Sequence, residues 1–337
     1  MKYWFDITNT PHVHIVDGLK RSLQSDDADF VITARDFSEV LPLLTRKFNG
    51  HPVDVIGKHA GNNKFKKAYN VVERFFKIYK KSFDYDVSIS MGSESAIWTS
   101  FIKRKPSIAF GDNDTAKQWT YGLFVDYAFF PDAIPRKVLE KQGLKNKLYL
   151  YDGYKEDIYI SEYIPDHQFK QYLPFEEYIL VRPENIQANY INNRAGTITR
   201  QVLEKLSVSG RKIMFLPRYD TDKEYAVGIE NVYIPDRPVN GLDACYHAEA
   251  VLTGAGTFAR EAACLGIPAI SFFAGRNLLA VDRKMIEDGW LVHSRDPNEI
   301  ISQIKSIKKR DVTIERSIEV KDGIITKLKE VIEKLVS

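Results

Sequence analysis

Small residues form a turn directly after a short apolar run in the C-terminal half of the chain. Gly254, Ala255, Gly256 and Thr257 follow a predicted strand at residues 250–253 and lead into a predicted helix. Glycines let a backbone approach a ligand closely, and the N–H groups at a helix start attract anions such as phosphate. The turn therefore predicts a phosphate site, with a purely structural tight turn as the alternative.

Glu261 lies one turn into the same helix. A carboxylate at this position could accept hydrogen bonds from sugar hydroxyls beside a bound phosphate. The alternative is that Glu261 only complements the dipole of its helix. Arg182 and Arg218 each come at or just after the end of a predicted strand. Guanidinium groups match phosphate oxygens, so both are candidates for a diphosphate site, against the alternative of surface ion pairs.

Polar residues also surround the end of the first predicted strand, at residues 3–7. Asp6 interrupts the apolar run, Asn9 lies in the following loop, and His12 lies in the first turn of the next helix. These three side chains could converge at the carboxyl end of the strand, where α/β sheets bind ligands. A histidine can take a proton from a sugar hydroxyl because its ordinary pKa is near neutrality. The alternative is that His12, like His14 on another face, only packs at the helix start.

Further carboxylates follow two other predicted strands. Glu94 comes after residues 87–90 and is either an acid or base near a sugar or a first-turn acid behind the N-cap Ser93. Asp112 and Asp114 come after residues 107–110. Two carboxylates at this Asp-X-Asp spacing could together bind a hard cation. We interpret Asp112 as a catalytic carboxylate and Asp114 as an acceptor-side carboxylate.

Strands alternate with helices in both halves of the chain, which predicts an α/β protein with doubly wound parallel sheets. The segment 145–173 breaks this alternation, is rich in tyrosine and has no clear period, so we interpret it as the passage between two domains. The predicted domains are residues 1–165 and 166–320, followed by a terminal helix in 321–337.

The glycine turn also carries a resemblance. Gly254-Ala255-Gly256-Thr257, followed by Glu261-Ala262-Ala263 and Leu265-Gly266-Ile267-Pro268, resembles the C-terminal signature of GT-B-fold proteins. The nearest forms are in UDP-N-acetylglucosamine 2-epimerases and in the N-acetylglucosaminyltransferase that makes lipid II. In those families the turn holds the nucleotide diphosphate, and the glutamate at the place of Glu261 binds the ribose hydroxyls.

This resemblance implies two Rossmann-like doubly wound domains that face each other across a cleft. The first would serve the acceptor and catalysis, the second would bind the nucleotide-sugar, and the last helix would return to the first domain. Asn277 would lie at the level of the donor sugar. A uridine-linked donor is expected as substrate, with no metal and no other cofactor.

One departure from the epimerases concerns the loop after the strand at 178–182. Epimerases carry a His-Arg-Arg-Glu-Asn element there, whereas this chain reads Arg182-Pro183-Glu184-Asn185 and has no preceding histidine. We therefore interpret the protein as a glycosyltransferase that uses a nucleotide-sugar donor. The alternatives are a nucleotide-sugar 2-epimerase and a non-catalytic nucleotide-sugar-binding protein. The start of the chain, residues 5–13, also resembles an uncharacterised, mainly archaeal family with a GT-B-like layout.

The composition of the chain argues against some classes of partner and location. A net charge of +3 over 337 residues is too small to argue for nucleic acid. Two cysteines cannot build a disulfide framework, so a reducing cytoplasm is expected. No apolar run approaches the roughly 18 residues of a membrane span, and the first residues lack the pattern of a signal peptide.

The predicted helix at residues 64–83 is both basic and aromatic. Its apolar residues fall at helical spacing, and its remaining positions are mostly basic, including Arg74. Such a helix can lie on an anionic membrane surface. A lipid-linked acceptor would favour this interpretation, and a saccharide is the other candidate acceptor. The alternative is a crossover helix packed on the sheet with a solvated basic face. The oligomeric state is open.

Overall fold

The computed structural model describes residues 1–36, 40–58, 64–81, 83–184, 196–275, 277–312 and 314–337. The chain divides into two compact units. The first unit is Met1–Glu162 together with Glu315–Ser337, and the second is Tyr163–Ile314. Each unit contains one parallel sheet with helices between its strands.

The sheet of the first unit has seven parallel strands in the order β3-β2-β1-β4-β5-β6-β7. Their bounds are β1 Lys2–Ile7, β2 Asp29–Asp36, β3 Val53–Lys58, β4 Val87–Ser90, β5 Ser107–Phe110, β6 Tyr127–Pro131 and β7 Leu148–Tyr151. The central strands are buried along most of their length, as a parallel sheet covered on both faces requires.

Helices connect these strands. Among the described residues, four have eight or more residues: α1 Thr10–Leu23, α2 Val40–Lys47, α3 Lys64–Lys80 and α4 Glu94–Lys103. Three are single turns: α5 Trp119–Gly122, α6 Arg136–Leu139 and α7 Asp157–Ile160. Asn9 is the N-cap of α1, and its side-chain oxygen accepts from the N–H of Thr10 at 2.9 Å. Thr10 is therefore the first helical residue, and Pro11 is the second.

Strand β7 and helix α7 lie inside the segment 145–173, where the sequence analysis recognised no regular element. The division between the two units, after Glu162, falls in the same segment. β7 is the edge strand of its sheet, and Tyr149 and Leu150 are only half-buried. An edge strand needs no continuous apolar run, so the usual signal for a buried strand is weak here.

The second unit has six parallel strands in the order β10-β9-β8-β11-β12-β13. The strands are β8 Ile179–Arg182, β9 Ile213–Phe215, β10 Val232–Tyr233, β11 Ala250–Thr253, β12 Ala269–Ser271 and β13 Val292–His293. The helices are α8 Thr199–Val208, α9 Gly241–Tyr246, α10 Gly256–Cys264, α11 Ala280–Glu287 and α12 Pro297–Ile304. The predicted α/β class with two doubly wound parallel sheets is confirmed.

The last helix, α13 Ile314–Val336, belongs to the first unit from Glu315 onward. Its start is fixed by the buried carboxylate of Asp157, which accepts from Arg316 Nη1 at 2.8 Å and from Ser317 Oγ at 2.7 Å. The helix therefore begins before the predicted segment 321–337, because polar contacts rather than an apolar stripe hold its first turns.

Helix α3 crosses from β3 to β4, yet its faces differ from the predicted ones. Arg74, assigned to the basic solvent face, is 4% exposed and points into the unit. Tyr69, Phe76 and Tyr79, assigned to a packed aromatic face, are exposed. The inward face is formed instead by Arg74 and Ile78. No helix in the described part of the chain is long and apolar enough to cross a membrane.

Candidate functional site

In each sheet the chain connections diverge at one pair of neighbouring strands. In the first sheet the chain leaves β1 toward β2 and leaves β4 toward β5, on opposite sides. In the second sheet the same divergence occurs between β8 and β11. Diverging connections leave a crevice at the carboxyl ends of the two strands, and open α/β sheets bind ligands there. The predicted site residues fall at or near both of these crevices.

His12 lies beside the loop that leaves β1, in the first unit. Its Nδ1 atom is 3.3 Å from Oγ1 of Thr8. If Nδ1–H donates to Thr8, the lone pair of the ring lies on Nε2, which is the arrangement a general base needs. Thr8 in turn is fixed through its carbonyl oxygen, which accepts from Arg35 Nη2 at 2.6 Å.

Lys155 is a site residue that the sequence analysis missed. It is buried, and its Nζ lies 2.5 Å from Oδ2 of Asp112 and 3.9 Å from Oε1 of Glu156. Lys155 follows the unrecognised strand β7, so its approach to Asp112 is set by the pairing of β5, β6 and β7. No local pattern in the sequence signals that pairing.

The charges of this pair act on His12. Burial first, and then the positive charge of Lys155, lower the pKa of His12 to about 3, while Asp112 and Asp6 act in the opposite direction. His12 is therefore neutral near neutral pH. Asp112 favours a protonated imidazole and Lys155 opposes it, so the Lys155–Asp112 pair adjusts a pKa that is lowered mainly by burial.

Replacing His12 by glutamine is expected to reduce the loss of stability in acid. An unfolded histidine takes up a proton at about pH 6.5, whereas native His12 resists protonation until about pH 3. The unfolded state therefore binds more protons across this window, and stability falls as pH falls. Urea unfolding midpoints of wild type and His12→Gln, measured at intervals from about pH 7 to about pH 4, check this. Parallel curves for the two proteins would contradict the assignment.

Asp6 forms a buried ion pair with Arg74. Arg74 Nη1 donates to Asp6 Oδ2 at 2.8 Å and Nη2 donates to Oδ1 at 2.6 Å. Thr33 Oγ1 also donates to Oδ1 of Asp6. Burial alone would raise the pKa of Asp6, but Arg74 more than offsets this, so the pKa is lowered. Asp6 thus remains an anion whose two oxygens are both engaged, which suits a positioning role.

The other predicted residues of the first unit are spread around the same sheet edge. The N-cap of α4 is Ser93, whose Oγ accepts from the N–H of Ala96, and Glu94 is the first-turn acid, as one of the two predicted alternatives had it. Glu94 Oε1 also accepts from Thr120 Oγ1 at 3.2 Å. Asp114 is half-buried in the loop after β5 and carries interactions of its own. No group of three or more metal-ligating side chains occurs among the residues described.

The glycine turn occupies the divergence point of the second sheet. The N–H of Gly254 donates to the carbonyl of Arg182 at 3.0 Å, so the loops after β8 and β11 touch. A Cβ added at Gly254 would lie 2.5 Å from Cα of Glu184, which explains the glycine. Helix α10 begins at Gly256, and its N-cap residue, Ala255, makes no side-chain capping bond. Thr257 therefore lies inside the first turn of α10 and is not its N-cap.

Both predicted arginines lie beside this turn. The guanidinium of Arg182 stacks over the ring of Phe258, 5.0 Å from its centre, in the first turn of α10. Arg218 Nε donates to the carbonyl of Pro183 at 3.3 Å. The structure therefore brings the ends of β8, β9 and β11 together around the start of α10.

Glu261 and Asn277 differ in exposure. Glu261 is only 7% exposed, so little of it is open to a ligand, and its negative charge reaches Cys245. Burial first, and then Glu261, raise the pKa of the Cys245 thiol, while Arg182 lowers it. Asn277 is exposed in the segment after β12. Its neighbour Arg276 lies outside the described residues, as does Asn185.

Two further charged groups in the second unit, Arg260 and Glu184, are buried and make contacts that the sequence did not predict. Arg260 is buried, pairs with Asp282 at 2.8 Å and contacts Oγ1 of Thr257 at 3.3 Å. Glu184 is buried and accepts from Thr197 Oγ1 at 2.7 Å and from Thr199 Oγ1. Arg295 adds a contact to Glu184 at 3.4 Å. Glu184 thus holds the start of α8. Its carboxylate is engaged in these contacts, whereas an epimerase would need a carboxylate that can act on the sugar.

The two divergence points, one in each of two parallel-sheet units, define a two-domain protein of the GT-B fold. The chain matches, over residues 1–335, the family described as a protein of unknown function, DUF354, and it belongs to that family. An uncharacterised protein of Methanocaldococcus jannaschii is 26% identical over 339 residues, covering 93% of each chain.

Solved structures share the architecture. A UDP-GlcNAc 2-epimerase of Methanocaldococcus jannaschii, in complex with UDP-GlcNAc and UDP, matches with a TM-score of 0.69 at 16% identity, covering 92% of this chain and 94% of that one. The glycotransferase of kitacinnamycin matches with a TM-score of 0.63 at 10% identity, covering 100% and 99%. At these identities the likeness establishes the fold.

Proposed function

We propose that the second unit binds a nucleotide-diphosphate sugar and that the protein is a glycosyltransferase. The observation that carries this proposal is the position of the Gly254–Gly256 turn at the divergence point of β8 and β11. Ligands of open α/β sheets bind at such points, and the start of α10 there offers backbone N–H groups with no side-chain cap from Ala255.

The charges around α10 fit a diphosphate. Arg182 and Arg218 flank the turn and bring two guanidinium groups to it. Guanidinium groups form paired hydrogen bonds with phosphate oxygens, and a leaving diphosphate needs such charge compensation. Thr257 and Glu261 lie further along the same helix, and we assign the ribose hydroxyls to the accessible edge of Glu261. Asn277 is assigned to the donor sugar.

In the first unit we assign proton removal from the acceptor hydroxyl to His12. The neutral imidazole is the form that accepts a proton. Burial and Lys155 disfavour the imidazolium that results, and the carboxylate of Asp112 offsets part of this effect. Glu94, Asn9 and Asp114 are assigned to the acceptor. Asp6 acts through its ion pair with Arg74 and holds the β1 loop that carries His12.

A nucleotide-sugar 2-epimerase is the second candidate, favoured by the fold shared with UDP-GlcNAc 2-epimerases. Two features of this chain argue against it. The loop after β8 lacks the histidine and second arginine of the epimerase element, and the carboxylate of Glu184 is occupied by Thr197, Thr199 and Arg295. The nucleotide-sugar partner is common to both candidates.

Product analysis separates the candidates. The protein is incubated with a panel of nucleotide-sugars, with and without saccharide and lipid-linked acceptors, and the products are resolved by mass spectrometry and NMR. Transfer that needs an acceptor supports the glycosyltransferase. Conversion of the nucleotide-sugar alone into its 2-epimer identifies the epimerase, and the absence of any turnover despite binding identifies a non-catalytic binder.

His12→Ala is expected to lower kcat by about 10²–10⁴-fold while leaving donor affinity unchanged, which is the range of general acid–base catalysis. His14→Ala is the matched control, because His14 lies two residues further along α1 and packs against Tyr159. Full turnover in His12→Ala, with donor binding intact, would show that another group is the base.

A further inference from the structure

Helix α3 presents an unpartnered apolar stripe to solvent, and this stripe is independent of both predicted sites. Tyr69, Val72, Phe76 and Tyr79 are 67%, 44%, 52% and 42% exposed. They recur at intervals of three and four residues, so they form one face of the helix about 15 Å long. Isolated exposed apolar residues are common, but a continuous stripe of three aromatic side chains on one helix marks a contact surface.

The stripe is not a by-product of poor packing, because the opposite face of α3 is firmly anchored. Arg74 is buried in its ion pair with Asp6, its Nε donates to the carbonyl of Ile56 at 2.8 Å, and Ile78 is fully buried. The orientation of the helix is therefore fixed by these contacts. The exposed side chains cannot turn inward without breaking the Arg74 network.

The charge around the stripe is strongly positive. Helix α3 carries five lysines and one acidic residue, Glu73, which gives a net charge of +4 once Arg74 is set aside as neutralised by Asp6. Lys77 pairs with Glu73 at 2.6 Å, while Lys66 and Lys80 lie at the two ends of the same stripe. Lys103 of the adjoining helix α4 adds a further charge, with its Nζ 5.9 Å from the ring centre of Tyr79.

Aromatic residues bordered by lysines suit the interface of an anionic bilayer. The rings enter the headgroup region, while each lysine keeps its ammonium among the lipid phosphates. A shallow depression lined by Tyr69, Phe76 and Lys80, among others, lies along this stripe. A second copy of the chain fits less well, because a two-fold contact would bring two such positive surfaces together.

We propose that the face formed by Tyr69, Val72, Phe76 and Tyr79, with its bordering lysines, docks the protein on an anionic lipid surface. The contact is peripheral, and it combines burial of the aromatic rings with attraction of the lysines to lipid phosphates. The attraction is screened by salt, so binding falls as ionic strength rises.

The test is co-sedimentation of the full chain with vesicles made of equal parts phosphatidylglycerol and phosphatidylcholine, compared with vesicles of phosphatidylcholine alone. Wild type is expected to bind the anionic vesicles and to dissociate at about 1 M salt, where the Debye length is about 3 Å. The double variants Tyr69→Ser with Phe76→Ser, and Lys66→Glu with Lys80→Glu, are each expected to bind at least about tenfold more weakly.

The matched control is Tyr172→Ser with Val208→Ser, which removes two exposed apolar side chains of the second unit, 73% and 91% exposed. This variant is expected to bind as wild type does, and circular dichroism verifies that all variants remain folded. Three results would overturn the proposal: no binding of wild type to anionic vesicles, equal binding by the stripe variants, or a wild-type dimer that the stripe variants convert to monomer without any lipid binding.

Discussion

Replacing Arg74 by leucine is expected to destabilise the first unit by about 3–5 kcal/mol. The substitution leaves Asp6, 1% exposed, as an uncompensated buried charge. Arg74 also holds the carbonyl of Ile56 on β3 and contacts the N-cap Ser93 of α4, so its loss removes a link between four elements. The unfolding midpoint in urea, followed by circular dichroism, gives the change in the free energy of unfolding.

The matched control for this prediction is Lys77→Leu, on the same helix. Lys77 is exposed and pairs with Glu73, and surface pairs contribute only about 0–1 kcal/mol. The double variant Asp6→Asn with Arg74→Leu removes the orphaned charge and is expected to recover part of the loss. A change in the free energy of unfolding below about 1 kcal/mol for Arg74→Leu alone would contradict the account of a buried, obligatory pair.

Gly254→Ala is expected to have the second-largest effect. The added Cβ would lie 2.5 Å from Cα and 2.7 Å from the amide nitrogen of Glu184, which is backbone and cannot swing away. Overpacking of this kind typically costs about 1–3 kcal/mol. Because the clash pushes the β11 turn away from the β8 loop, the variant is also expected to lose nucleotide binding, as measured by calorimetric titration with a nucleoside diphosphate.

Gly323→Ala is the comparison for this substitution. A Cβ at Gly323 meets no atom within 4 Å, and the residue lies inside α13. Alanine there is expected to raise stability by about 0.4–1 kcal/mol and to leave nucleotide affinity unchanged. If Gly254→Ala keeps full nucleotide affinity, the proposed role of the turn is wrong.

Much of the fold follows from local pattern. The strands at 87–90, 107–110 and 250–253 were predicted to the residue. Each contains buried apolar residues and is bounded by polar or small residues. The cap of α9 is also a local contact, since the side chain of Asn240 accepts from the N–H of Leu242. Two edge strands, β7 and β13, were missed. β13 has only two residues, Val292 and His293, both half-buried.

The charged pairs could not be predicted in this way. Lys155 and Asp112 are far apart in sequence and meet only after β5, β6 and β7 have paired. Arg74 lies among lysines at a position that helical spacing alone assigned to the solvent face, and its burial depends on Asp6. The contacts of Glu184 could not be predicted either, because its partners, Thr199 and Arg295, come from other elements. Such contacts depend on topology rather than on local sequence.

The central claim, that the turn at Gly254–Gly256 binds a nucleotide diphosphate, is tested most directly by thermal unfolding with a panel of nucleotides and nucleotide-sugars. Ligand at about one hundred times its dissociation constant is expected to add about 2.7 kcal/mol of stability. Glu261→Gln is expected to reduce that gain, whereas Glu249→Gln, before β11 and paired with Arg211, leaves it unchanged. A stabilising nucleoside diphosphate with this pattern supports the claim. Stabilisation by none of the panel would contradict it and would make the turn a structural feature only.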